Sequence, residues 1–312
     1  MAVICIDPRS DPRWRQLIHQ QPSTVFHSPD WLQVLVDTYA FELQAYLLVD
    51  ETGEPKAGVP FCHLKDSRGE RLVVLPFCDY CDPLAVQPAD WQLLADQLVA
   101  HNSLATIRCL HNPLPLTDAR FTLYNKAHWH GLDLQPNLPT LWSNIHDSAR
   151  RAIKKAERAG VVVHIADQKA ALRTFFEMHL NTRKAKYRML AQPYLFFENI
   201  WRHFMEKGQG VLMLADYQGR SIGATLFLAW QNTLFYKFNT SVPDQLAFRP
   251  NDLILWRSIE YAKQHGFTNL DFGLSDWDQA GLIRYKAKFA TSEKTISFLR
   301  YTPAQYTPPP NT

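Results

Sequence analysis

Residues 193–230, PYLFFENIWRHFMEKGQGVLMLADYQGRSIGATLFLAW, read as a helix followed by two strands and a tight turn. Pro193 starts an aromatic helical run to about residue 207, residues 211–215 form an apolar strand, and 221–230 form another. The turn between them is Asp216-Tyr217-Gln218-Gly219, where Asp caps the backbone and Gly tolerates positive φ. The same plan occurs near the start of the chain. Ser28-Pro29-Asp30-Trp31-Leu32 opens a helix to about residue 39, and strands at 45–49 and 57–63 flank Asp50-Glu51-Thr52-Gly53.

A helix feeding an antiparallel hairpin, repeated at similar spacing, predicts two related α+β domains, each a mainly antiparallel mixed sheet flanked by helices. The Pro-rich QPNLPTLW places the expected boundary near residue 140. The expected domains are therefore 1–140 and 141–302, and PAQYTPPPNT at 303–312 reads as a disordered tail.

The 312 residues, 46% hydrophobic and 12% aromatic, suffice for two cores and argue against wholesale disorder. No basic leader with an apolar core opens the chain, and no run of about 18 apolar residues follows, so the expectation is a cytoplasmic protein without a transmembrane segment. Five cysteines do not suggest a disulfide framework. Cys78 and Cys81 form a Cys-x-x-Cys, but no second pair completes a zinc site, and no metal is expected.

The net charge of +3 conceals an asymmetry. Residues 1–140 carry 10 basic against 16 acidic side chains, and residues 141–312 carry 23 against 14. Eleven basic and three acidic residues fall between Arg150 and Arg188, a composition suited to a phosphate-bearing ligand. A helix predicted over 143–159 has Ile145, Ala149, Ile153 and Ala156 on its apolar stripe and stops at Gly160. Its other faces carry Arg150, Arg151, Lys154 and Lys155 as candidate contacts to the phosphate of an anionic ligand. The loop Arg183-Lys184-Ala185-Lys186-Tyr187-Arg188 adds Arg183 and Arg188 as candidate substrate contacts.

Residues 266–290, GFTNLDFGLSDWDQAGLIRYKAKFA, read as a strand that breaks at Gly273 into a polar turn and a helix returning Lys286. Asp271, Ser275 and Asp276 are candidates by position for a catalytic role, as proton acceptor or hydrogen-bond donor. Residues 233–240 alternate as a strand, with Tyr236, Phe238 and Thr240 on one face and Phe235, Lys237 and Asn239 on the other. Tyr236 and Asn239 are the substrate-positioning candidates there, and Asn251 lies at the start of the helix that follows.

FHSPDWLQVL, LPFCDYCDPL, SARRAIKKAERAGV and RPNDLILWRSIEYAKQHGFTNLDFGLSD followed by GLIRYKAKFA together resemble the FemAB-type branch of the GNAT-fold acyltransferases. That resemblance spans nearly the whole chain and implies two tandem GNAT-like domains, with the active site in the second. It implies an N-acyltransferase or aminoacyltransferase using aminoacyl-tRNA or acyl-CoA, with no tightly bound cofactor and an amine acceptor on a small molecule or peptide. It also points to a role in cell wall biogenesis. Tyr285-Lys286 occupies the place of the family's aromatic-lysine pair, which assigns Lys286 to the active site and Tyr285 beside it. Residues 245–252 lack the glycine loop of acyl-CoA-dependent members, and no long charged heptad segment interrupts the second domain. Ligases of that branch that bind a nucleotide-linked muropeptide have a lysine just after the first-domain Trp, and this chain has Gln33 and Leu35 nearby, which departs from that acceptor's pattern.

The absence of a Gly-x-Ser-x-Gly elbow or a Cys/His signature favours direct transfer without an acyl-enzyme. The alternative reading is a non-catalytic RNA- or phospholigand-binding module that retains the double fold; tRNA is the expected nucleic-acid partner, and DNA is not expected.

Overall fold

A computed structural model describes residues 1–66, 69–184 and 188–306. It divides into two compact units, residues 1–128 with 294–312, and Trp129–Glu293. This differs from the expected division at 140. The chain leaves the first unit within a strand, and its last strand returns there, which a composition-based boundary does not register.

The first unit contains β1 (Ala2–Ile6), α1 (Pro12–Gln20), α2 (Pro29–Tyr39), β2 (Glu42–Val49), β3 (Pro55–Asp66), β4 (Gly69–Val73), α3 (Pro88–Ala100) and β5 (Leu104–Cys109). Strands β1 to β4 pair antiparallel in sequence order, and β4 then pairs parallel with β5 after the α3 crossover. Strand β6 (Thr122–Asp133) leads into the second unit.

The second unit continues with α4 (Leu138–Asn144), α5 (Asp147–Arg158), β7 (Val162–Ile165), α6 (Ala171–Thr182), α7 (Tyr194–Ile200), β8 (Gly210–Tyr217), β9 (Arg220–Trp230), β10 (Thr233–Ser241), α8 (Pro250–Gln264), β11 (Asn269–Asp276) and α9 (Ala280–Ala287). Strand β12 (Ser292–Tyr301) then runs back to pair antiparallel with β5. Strands β7 to β10 pair antiparallel in order, and β10 pairs parallel with β11 across the α8 crossover. Each unit thus builds four antiparallel strands, a helical crossover and one parallel strand, which makes both sheets mainly antiparallel and mixed, as expected.

The two hairpins reach this shape by different turns. Between β8 and β9 only Gln218 (φ 49°) and Gly219 (φ 75°) form the loop, a two-residue turn whose twist suits the strands. Between β2 and β3 the Asp50 carboxylate accepts from the Thr52 and Glu54 amides, closing a longer loop.

The helix expected over 143–159 is two helices. Asn144 ends α4, Ile145 is extended, and the His146 side chain accepts from the Ser148 amide to start α5. All four residues of the predicted stripe are nevertheless buried, in a core shared with Leu253, Ile254 and Ile259 of α8 and with Phe272. Gly160 (φ 84°) follows the C-terminal end of α5. The expected tail begins as a folded turn, with Pro303 buried and the Tyr306 amide donating to its carbonyl; residues 307–312 lie outside the described residues.

Candidate active site

Strands β10 and β11 share a ladder over three pairs only, Thr233↔Asn269, Leu234↔Leu270 and Phe235↔Asp271. Yet β10 continues to Ser241 and β11 to Asp276. Beyond Phe235 and Asp271 the parallel strands share no further ladder pair, so β10 and β11 part there. A sheet that forks in this way opens between its strands while one arm stays fixed by β9.

The fixed arm is bulged. Its register with β9 shifts between Tyr236 and Phe238, leaving Lys237 as the extra residue. The shift overturns the expected alternation. Tyr236 joins the core formed with α8 and Phe272. Phe238 packs against Phe196 and Phe197 of α7, and Thr240 bonds to Thr182 of α6. Asn239 donates to Asn251 at the start of α8, so Tyr236 and Asn239, expected on opposite faces, share the α8 side.

A polar chain lines that side. Asn239 Nδ2 lies 2.8 Å from Thr225 Oγ1 and 3.2 Å from Asn251 Oδ1, and Asn251 Nδ2 donates to Ser241 Oγ at 3.3 Å. The Tyr285 hydroxyl donates to the Asn251 carbonyl at 2.9 Å, tying α9 to the first turn of α8. Burial, then Tyr236 and Asp252, push the Tyr285 phenol well above its ordinary value. The α8 start can approach the sheet this closely because residue 223 is glycine, where a Cβ would stand 3.0 Å from Pro250 Cβ.

Asp252, the residue after Asn251 in the first turn of α8, is 6% exposed, and its Oδ1 has no hydrogen-bond partner. Burial raises its carboxyl above the ordinary range against the pull of Lys288, Arg249 and its own backbone amide. Ser275 on β11 is fully buried, and its hydroxyl is likewise unpartnered. Sequence offers one faint signal for Asp252: an acidic residue beside Asn251 just inside a proline-initiated helix, which helix capping alone explains.

The other arm is shaped by Gly273 (φ 66°), a left-handed conformation that a side chain would strain. Asp271 Oδ1 holds this bend by accepting from the Gly273 amide at 2.6 Å and from Trp129 Nε1 at 2.9 Å. The bend turns two successive carbonyls toward α9. Lys286, 3% exposed, donates from Nζ to the Gly273 and Leu274 carbonyls at 3.2 and 2.8 Å. Asp276 takes a side-chain bond from Gln279 and is half-buried at the strand end.

The basic residues separate into two kinds. Arg150 donates to the carbonyls of Trp142, Ser143 and Ile145 and pairs with Asp147, so its guanidinium closes the C-terminal end of α4. That engagement departs from the expected phosphate contact: unsatisfied helix carbonyls attract a cation. Arg151, Lys154 and Lys155 are exposed along α5, with Lys154 over the Trp142 ring. Arg183 donates to the Leu190 carbonyl, and Arg188 is exposed in the left-handed region at φ 50°. Lys186 and Tyr187 lie outside the described residues.

In the first unit the Cys-x-x-Cys is packed. Cys78 donates to the Leu75 carbonyl, and Cys81 Sγ is 3.3 Å from His27 Nε2. Burial pushes the Cys81 thiol well up and His27 down to about 4, which leaves both neutral and the thiol a poor nucleophile. Among the described residues no group of three or more His, Cys, Asp or Glu side chains is placed to hold a metal.

Residues 143–287 match the acetyltransferase (GNAT) domain family, the span that builds the fork. The whole chain superposes on FemX with a TM-score of 0.72 at 14% identity, covering 97% of each chain. A tandem GNAT protein from the clavulanic acid biosynthesis pathway superposes with a TM-score of 0.62 at 12% identity, over 98% of this chain and 100% of that one. The chain has a tandem GNAT fold. L-PGS from Bacillus licheniformis shares it, at a TM-score of 0.60 and 13% identity over 96% and 94% of the two chains. No curated protein sequence matches the chain. The family match in the second GNAT unit supports acyl transfer as its chemistry, and among the described residues no helix is long and apolar enough to cross a membrane.

Proposed function

We infer that the second GNAT unit is an N-acyltransferase or aminoacyltransferase that moves an acyl group directly from an activated donor, acyl-CoA or aminoacyl-tRNA, to an amine acceptor. The observation that carries this reading is the fork, where a bulged β10 and a bent β11 part beside the start of α8. Backbone amides of β10 at the fork stabilise the oxyanion that forms as the amine attacks the donor carbonyl. The acceptor is held by Tyr236, Asn239 and Tyr285, and Asn251 joins the α8 amides in facing donor phosphate. Lys286 keeps the β11 arm bent, while its positive charge lowers the cost of negative charge developing nearby. Asp271 positions that arm from behind, and Ser275 and Asp276 line its end.

Both donor classes are polyanions with a carbonyl on a good leaving group. Arg151, Lys154 and Lys155, with Arg183 and Arg188, supply matching charge. The Cys81–His27 contact offers no acyl-enzyme route, since burial holds that thiol protonated. A small-molecule or peptide amine, including one on a cell-envelope precursor, fits the acceptor role in the cytoplasm. The test is mass spectrometry of products from the full chain incubated with acyl-CoA esters or charged tRNA and an amine-bearing peptide. Acylated peptide is the expected result. Polyanion binding with no acyl transfer from either donor class would replace this reading with that of an RNA- or phospholigand-binding module.

A further inference from the structure

Resting on the acyl-transfer reading, a second question is what removes the proton from an amine that reaches the fork as an ammonium. Asp252 has the placement. It lies in the first turn of α8, next to Asn251, whose side chain meets β10 and whose carbonyl holds Tyr285 of α9. Its carboxylate is nine-tenths buried with Oδ1 unpartnered, an arrangement that costs stability unless a ligand completes it. The ionisable groups acting on it are Arg249 just before α8, and Lys288 and Tyr285 from the α9 side, with Tyr236 of β10 acting on Tyr285. An unsatisfied buried carboxylate oxygen recognises an ammonium by charge and hydrogen bonding.

We propose that Asp252 binds the acceptor's ammonium and takes its proton, making it the general base of acyl transfer. The ammonium gives one proton to Oδ1, and the freed lone pair forms the nitrogen–carbon bond at the donor carbonyl. Collapse of the tetrahedral intermediate breaks the bond from that carbon to the CoA sulfur or the tRNA ribose oxygen. The leaving atom departs with the electron pair and takes the second nitrogen proton, and Asp252 returns the first to solvent. A carboxylate kept dry and unpaired is suited to this work because burial brings its basicity closer to that of the amine.

The experiment compares wild type with Asp252→Asn using two acceptors, a lysine-containing peptide and hydroxylamine, with acyl-CoA and charged tRNA as donors. Hydroxylamine is uncharged at neutral pH and needs no base before it attacks. Asp252→Asn is expected to lose about 100-fold in kcat/KM with the peptide, to stay within about threefold with hydroxylamine, and to have the acidic limb of its peptide pH profile displaced upward toward the amine's own titration. Its Tm is expected to equal or exceed that of wild type, since a buried unpaired charge has been removed. Equal losses with both acceptors, or an unchanged peptide rate and pH profile, would overturn the role of Asp252 while leaving acyl transfer intact. A wild-type protein that acylates neither acceptor from either donor would sink the acyl-transfer reading itself, and this inference with it.

Discussion

Replacing Lys286 with Met tests how the bent arm of the fork is held. Met keeps the unbranched reach of the side chain but removes both donations to the Gly273 and Leu274 carbonyls. A hydrogen bond from a charged donor contributes about 1.5–3 kcal/mol, so the two together are nominally about 3–6 kcal/mol. Relief from burying an ammonium offsets part of this. The net loss is about 2–4 kcal/mol. In a unit of about 165 residues, Trp129–Glu293, each kcal/mol moves Tm by about 2–4 °C, so a fall of roughly 5–15 °C is expected. Thermal unfolding followed by tryptophan fluorescence reads it, because Trp129 bonds to Asp271 at the base of the same arm. Activity should fall with it even well below the melting transition, because the bend orients the β11 wall. A variant melting within about 2 °C of the parent would show that the two carbonyl bonds contribute little, and the account of the bent arm would fail.

Two further outcomes follow from the same geometry. Arg150→Ala should destabilise the second unit by about 1–2 kcal/mol and barely change polyanion affinity. The Arg151→Ala, Lys155→Ala pair should leave stability within about 0.5 kcal/mol and reduce the salt slope of tRNA binding by about 2; identical binding curves for the pair and the parent would remove α5 from the anion surface. Stability should also decline in acid. Burial lowers His27 and His179 from the ordinary 6.5 to about 4, so the unfolded chain gains protons below about pH 6.5 while both native imidazoles stay neutral. Each contributes stability that is present above pH 6.5 and lost as pH falls toward 4, up to about 3 kcal/mol per histidine. Urea titrations across that range test it, and a flat profile would contradict the buried neutral state of both rings.

Much of the scaffold is legible in local chemistry. The hairpins, the stop at Gly160 and the α8 start at Pro250 follow from turn residues, hydrophobic periods and proline, all of which act over a few neighbours. The site was only half legible. Tyr236 and Asn239 were visible as polar or aromatic residues on a strand near the fork, but period-two alternation placed them on opposite faces. Strict alternation assumes an unbroken ladder, and a bulge is created by the pairing of β10 with β9. Asp252 stayed hidden because acidic residues are common in first helical turns, and only packing distinguishes an exposed one from a buried, unpaired one.

The chain by itself determined a duplicated α+β plan, a basic second half and a lysine on the helix after a Gly273-containing strand, since these depend on composition and on contacts between near neighbours; the expected break at Gly273 is instead a bend within β11, which runs on to Asp276. Tertiary structure alone decided that Lys286 serves two carbonyls of that strand, that Arg150 closes α4, and that β12 returns to β5. Those outcomes depend on which backbone groups remain unsatisfied once distant segments have paired. A buried carbonyl takes whichever donor the fold brings within reach, and no local pattern records that choice.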